Sequence, residues 1–286
     1  MTTIFDPTIC TLGEGPLWHP SRNQLFWFDI IQKKLLTRED DKTRGWDFKE
    51  HVSAAGWISD TQLLVASESA LFSFDLDSGA QDHVAPLEAD NPVTRSNDGR
   101  ADPWGGFWIG TMGFNAEPGA GAIYRYYRGE VRKIIPDISI TNAICFDPEG
   151  GFACYCDTAE HVVRKIRLSE ADGWPVGESE IFLDFRSESW GPDGAVMGAD
   201  GTFWNAQWGA SRVAAYDRSG ALVQTVEVPA QQASCPAFGG PDLTTLFVTS
   251  AMIDLPAETL ADQPENGMTF AIPDVAKGQR EHKVIL

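Results

Sequence analysis

The sequence predicts an all-β chain folded as a six-bladed β-propeller with four-stranded blades, on three observations. First, a short polar run, a tight turn and an aromatic-rich strand recur in LGEGPLWHPSRNQLFWFD, SNDGRADPWGGFWIGTM, TNAICFDPEGGFACYCD and GPDGAVMGADGTFWNAQW. Second, ten Trp and sixteen Phe favour strands over an Ala/Leu/Glu helical bundle. Third, unit starts near Glu14, Ala54, Asn97, Asn142, Asp193 and Cys235 give a repeat of roughly 40 to 50 residues, the span of one four-stranded blade. Six such units fill residues 1–286 as one propeller domain, and no Pro-, Gly- or Ser-rich linker divides them.

The elements follow in order from alternation and turn chemistry. NQLFWFDI reads as a strand ending near Lys33, and TQLLVASESALFSFDLDSG as two strands closed by Asp77-Ser78-Gly79. GAIYRYYRGEVRKII is a hairpin around Arg128-Gly129-Glu130, and HVVRKIRL is followed by the Asp172-Gly173 turn. RVAAYDRSGALVQTVEV bends at Ser219-Gly220. No long amphipathic helix is evident. The last strand, GMTFAI, is placed to complete a blade begun by N-terminal residues and so close the ring.

Composition limits the function classes. A net charge of −19 repels phosphate backbones and anionic membrane surfaces, so neither nucleic acid nor membrane is an expected partner, and no obligate protein partner is indicated. The N-terminus MTTIFDPTICTLGEG lacks the basic-then-apolar pattern of a secretory signal, and no window has the twenty apolar residues of a membrane span. Five cysteines without metal-finger spacing fit buried thiols in a reducing cytoplasm. Cys154 and Cys156, two apart in a strand, share one face.

In a propeller the innermost strands line the central channel. Glu14, Asn97, Asn142 and Asp193 each precede their cassette's turn by about five to seven residues, which places them at similar height at one mouth. Taken singly each is also ordinary turn chemistry, since Asn-Asp-Gly and Pro-Asp-Gly form turns. Carboxylates and an amide carbonyl are hard oxygen donors suited to Ca²⁺, Mg²⁺ or Mn²⁺. The five histidines include no HExxH pair, which disfavours a His-rich zinc centre. A G-x-S-x-G elbow, a P-loop and a dinucleotide-binding glycine motif are all absent.

The segments LGEGPLWHP, SNDGRADPWGGFWIGTMG, TNAICFDPEG, YCDT, GPDGAV and CPAFGGPDLTTLFVTSA together resemble the SMP-30/gluconolactonase family, which includes regucalcin and bacterial sugar lactonases. The resemblance runs in order over nearly the whole chain. It implies a six-bladed propeller with one divalent cation in the channel, calcium being the most generic choice and Zn, Mn, Mg or Fe admissible. The family's metal ligands fall on Glu14, Asn142 and Asp193, and its substrate-contacting Arg-x-Asn-Asp stretch on Arg95, Asn97 and Asp98. A further acidic substrate contact falls on Glu117.

The implied activity is hydrolysis of a small-molecule sugar lactone to the aldonic acid, with Asp193 as the catalytic base, directly or through a bound water. Two alternatives stand beside it: a metal-stabilised propeller acting as a calcium-binding or interaction protein, and a lactonase or esterase for non-sugar lactones. Arg95, Asn97, Asp98 and Glu117 describe a polar pocket, which favours the sugar. The chain departs from the family pattern at Ala143, where Gly is frequent, and at Ala195, where a larger apolar residue is common.

Overall fold

The computed structural model describes residues 1–286. Six four-stranded antiparallel sheets form a ring of blades. Their innermost strands are Gly13–His19, Val52–Trp57, Thr94–Ala101, Thr141–Phe146, Gly191–Met197 and Gln232–Gly239, which begin blades one to six in chain order. The sixth blade takes Gln232–Gly239, Thr245–Ala251 and Thr269–Ile272 from the C-terminal region and its outer strand, Thr3–Asp6, from the N-terminus. Thr3 pairs with Ala271 and Ile4 with Phe270, so the two ends of the chain close the ring as the GMTFAI segment predicted. The only α-helix is Ala257–Asp262.

The consecutive apolar residues of the second strands follow from blade stacking, because both faces of each sheet are covered. In Gln24–Asp29, Leu25 and Trp27 pack toward the sixth blade while Phe26 and Phe28 pack toward the second. Cys154 and Cys156 likewise share the face that meets blade five, beside Phe203 and Ala214. The hydrophobic core is therefore six clusters, one at each blade interface. Aromatic pairs close these seams: Trp108 meets Phe146 edge-on at 5.3 Å, Trp204 meets Phe238 at 5.8 Å, and Trp18 stacks on Phe247 at 5.5 Å. All five cysteines are free and buried.

Two features position the site. Every innermost strand shifts register in its first half, at Glu14/Leu17, Val52/Ala54, Ser96/Gly99, Asn142/Cys145, Pro192/Ala195 and Ala233/Pro236. Such bulges bend a strand and re-aim its side chains, here at the same level around the ring. The second feature lies at the other ends of these strands, where the C-terminal segment crosses the channel. Ala199 donates to the Lys277 carbonyl at 2.8 Å, Gly278 to Leu243 at 2.8 Å, and the Gln279 side chain to Phe146 at 3.0 Å. Trp57 donates from its indole to the Glu281 carbonyl, Val284 to Trp57 and Ile285 to Gly105, at 2.9–3.0 Å. Val284 is fully buried between blades two and three, and the buried Glu281 pairs with the half-buried Arg100. Only about 20 Å³ of space remains there.

Candidate metal and substrate site

At the open mouth lies a cavity of about 490 Å³, and Glu14, Arg95, Asn97, Asn142 and Asp193 form its buried floor. These residues come from blades one, three, four and five. Blades two and six instead place serines at their bulges: Ser53 donates to the Ser96 hydroxyl at 2.8 Å, and Ser234 donates to the Gly13 carbonyl at 2.5 Å. Those two blades thus brace their neighbours.

The bulges divide the floor residues into two kinds. Glu14 and Asn142 are the last residues paired before the irregularity, opposite Phe28 and Cys156. Asn97 and Asp193 are the first residues inside it, following Ser96 and Pro192. After Glu14 and Asn142 the chain turns through a left-handed residue, Gly15 at φ 53° and Ala143 at φ 58°. At Gly15 a Cβ would press into the Ser53 carbonyl oxygen, so only glycine fits. Ala143 carries the same backbone geometry with a methyl group, at a conformational cost of roughly 1 kcal/mol.

A hydrogen-bond chain fixes the amide orientations. Arg95 Nη1 donates to Asn97 Oδ1 at 2.7 Å, and Asn97 Nδ2 donates to the Thr141 carbonyl at 2.8 Å and to Asn142 Oδ1 at 3.3 Å. Asn142 Nδ2 donates to Thr158 Oγ1 at 2.9 Å, and that hydroxyl donates to the Pro192 carbonyl at 2.7 Å, one residue before Asp193. Donation from Asn142 Nδ2 to Thr158 turns the Asn142 carbonyl oxygen toward the cavity side, where it is the atom that could meet a cation. Aspartates at the ends of two second strands hold the entering loops. Asp29 accepts from Thr11 and Leu12 in blade one, and Asp157 accepts from Ser139 and Ile140 in blade four.

Electrostatically the floor is an acid cluster short of positive charge. Burial and the neighbouring Asp98 push the Glu14 carboxyl up to about 8. Burial, then Glu14 and Asp98, raise Asp193 well above the carboxylate range. Burial raises Asp98 to about 6. Arg95 is lowered to about 10 by burial and remains a cation at neutral pH. No three His, Cys, Asp or Glu side chains gather in a ligating cluster anywhere in the chain, and the Glu14/Asn142/Asp193 set holds only two such groups plus an amide. Two buried, mutually repelling carboxylates beside an oriented amide oxygen nevertheless fit a hard divalent cation, which would relieve that repulsion.

Asp98 and Glu117 do not line the cavity. Asp98 is buried and its Oδ2 accepts from the Ile144 amide at 2.7 Å, bracing the bulge that carries Asn142. Glu117 accepts from the Asn115 amide and side chain at 3.0 and 2.9 Å, which shapes the loop that presents Phe114, Asn115 and Ala116 to the cavity. Both instead hold backbone of elements that carry lining residues. Thr158 lines the cavity although only its YCDT context drew notice in the sequence. The expectation of a polar pocket also needs correcting, since half of the sixteen lining residues are apolar, Met112, Phe114, Trp208 and Ile253 among them. These four sit at or just beyond the ends of second strands, which antiparallel pairing brings to the same face as the starts of the first strands, whereas Leu12 and Ile140 immediately precede first strands. That topological rule was the signal available for finding them.

Residues 12–252 match the model of the SMP-30/Gluconolactonase/LRE-like region. The chain belongs to the SMP-30/gluconolactonase family. Among family members, the crystal structure of a calcium-binding protein, regucalcin, from Agrobacterium tumefaciens is 39% identical, superposes with a TM-score of 0.97, and is matched over 99% of this chain and 97% of that one. An L-arabinolactonase from Azospirillum brasilense is 35% identical over 94% of this chain and 90% of its own length. A 6-deoxy-6-sulfogluconolactonase from Pseudomonas putida is 33% identical over 91% and 90%. Membership of the SMP-30/gluconolactonase family agrees with the ring of six blades and with the cavity at its mouth.

Proposed function

We propose that the protein hydrolyses an aldonolactone to the aldonic acid with the help of one divalent cation held by Glu14, Asn142 and Asp193. The observation that carries this reading is the convergence of those three oxygen donors from three blades beside Arg95 on the floor of one cavity. The lactonase names of the 35% and 33% relatives support it, as does the calcium-binding title of the 39% structure. When bound, such a cation supplies Lewis-acid polarisation of the lactone carbonyl and offsets the charge that develops on its oxygen.

The chain's own residues supply the rest. Arg95 spends Nη1 on Ser96 and Asn97, which leaves Nη2 and Nε to hold lactone oxygens. Asn97, oriented by Arg95, fixes Asn142. Asp193, raised by burial and by Glu14, accepts a proton from the attacking water at its carboxylate and returns it to the ring oxygen. A C–O bond forms from water, the ring C–O bond breaks, and the products are one carboxylic acid and one hydroxyl group. Asp98 and Glu117 are positioning residues, the first for the Asn142 bulge and the second for the Phe114–Ala116 loop.

The test is a pH-indicator screen of five- and six-membered aldonolactones, repeated after chelation and after restoring single divalent cations. Turnover lost on chelation and regained with a cation is expected, as is its loss in Asp193→Ala with the circular dichroism spectrum retained. Undiminished turnover in that variant, or no turnover of any aldonolactone with any cation, overturns the reading.

A further inference from the structure

The cavity changes character with depth. Its buried floor is polar, whereas the wall above it is apolar and comes from several blades: the buried Met112, the half-buried Ile31, Ile140, Trp208 and Ile253, and the exposed Phe114. Charge is equally uneven. Arg95 is the only cation among the lining residues, and its Nη1 is committed to Asn97 and Ser96. Glu14 and Asp193 on the floor and the exposed Asp254 at the rim are all acidic.

From this division we infer that the collar selects the far end of the lactone: the chain prefers uncharged lactones whose exocyclic terminus is a methyl group or hydrogen over hydroxymethyl lactones, and rejects anionic ones. The inference rests on the lactonase reading and deepens it. The buried partners for the lactone carbonyl and ring hydroxyls lie on the floor, while the polar groups higher up are the exposed Asn115, its amide nitrogen donating to Glu117, and Asp254 at the rim, so the exocyclic carbon points up the apolar wall. A methyl group there gains apolar contact, while a hydroxyl loses water and meets no donor or acceptor on those side chains. A carboxylate or sulfonate among those wall side chains would lose water beside the exposed Asp254, with no cationic side chain on the wall to pair with.

Two readouts decide it. The first is kcat/KM for a 6-deoxyhexonolactone, the matching hexonolactone and the matching 6-carboxylate. The second is the calorimetric affinity of the ring-nitrogen lactams of the same three, measured on the cation-loaded protein. The deoxy compound is expected to lead the hydroxymethyl compound by about tenfold or more and the anionic one by about 100-fold or more. Phe114→Ser truncates a residue that is 40% exposed and is expected to bring the first ratio toward one. Asp254→Asn, at a left-handed position asparagine tolerates, is expected to raise the anionic compound's relative rate several-fold. Equal or better use of the hydroxymethyl or anionic compound, or a first ratio unmoved in Phe114→Ser, overturns the inference. If no lactone turns over, the lactonase reading fails, and the lactam affinities still decide what the collar prefers.

Discussion

Replacing Glu14 by Gln is expected to stabilise the cation-free protein at alkaline pH while weakening its hold on a divalent cation. In the folded, cation-free chain the Glu14 carboxyl is pushed from its ordinary 4.5 up to about 8, first by burial and then by Asp98. A carboxyl raised on folding favours the folded state fully below its unfolded value, and that contribution is lost as pH rises through the folded value. Between pH 4.5 and about 8, at about 1.4 kcal/mol per pH unit, the loss reaches up to about 5 kcal/mol. For a domain of this size that corresponds to roughly 10 °C in melting temperature. Asp98, raised to about 6, and Asp193 add in the same direction. The assay is thermal unfolding in chelator at pH 5.5, 7 and 8.5, with and without saturating calcium. Wild-type protein is expected to melt progressively lower with rising pH in chelator and to lose most of that dependence with calcium. Glu14→Gln keeps an oxygen to accept from the Gly15 amide, should melt higher than wild type at pH 8.5 in chelator, and should bind calcium at least about tenfold more weakly. A wild-type melting temperature that is flat between pH 5.5 and 8.5 in chelator refutes the electrostatic argument.

Three further substitutions probe other parts of the structure. Thr158→Val removes the acceptor for Asn142 Nδ2 and the donor to Pro192, and should cut cation affinity about 10- to 100-fold by calorimetry, with recovery in Thr158→Ser. Gly15→Ala drives a methyl group into the Ser53 carbonyl at φ 53° and should cost more than about 3 kcal/mol in denaturant unfolding. Asp102→Ala strands the fully buried Arg125 guanidinium, whose Nε it accepts at 2.7 Å, and should cost roughly 3–5 kcal/mol by the same measurement.

The blades were legible because both faces of every second strand are covered, so QLFWFD and FACYCD declare themselves by continuous apolar sequence between turn residues. Ring closure was legible too, since a lone terminal strand has no other partner. Finer placement was not. Glu14 and Asp193 look alike as acids ahead of a turn, yet they differ by one position in the bulge, and a one-residue offset is invisible without the register. Asp98 adjoins Asn97 in sequence, but the bulge turns its carboxylate away from the cavity to the Ile144 amide. Thr158 and the apolar collar reach the site through strand pairing and loop reversal, which carry no local signature. The C-terminal HKVIL segment carries no repeat signature, and its place across the channel comes from partners more than 100 residues away, Trp57 for Val284 and Gly105 for Ile285.

That last segment has a kinetic meaning. With the far end of the channel stoppered by residues 277–285, the passage through the ring is a blind well: whatever enters over Phe114 and Asp254 must leave by the same doorway. Reactant and product then take turns at a single gate, and an acid formed on the floor leaves past Phe114 and Asp254 rather than through the ring. Cutting the stopper away would open a second exit and let water reach the underside of the acid cluster, turning a one-way pocket into a pipe.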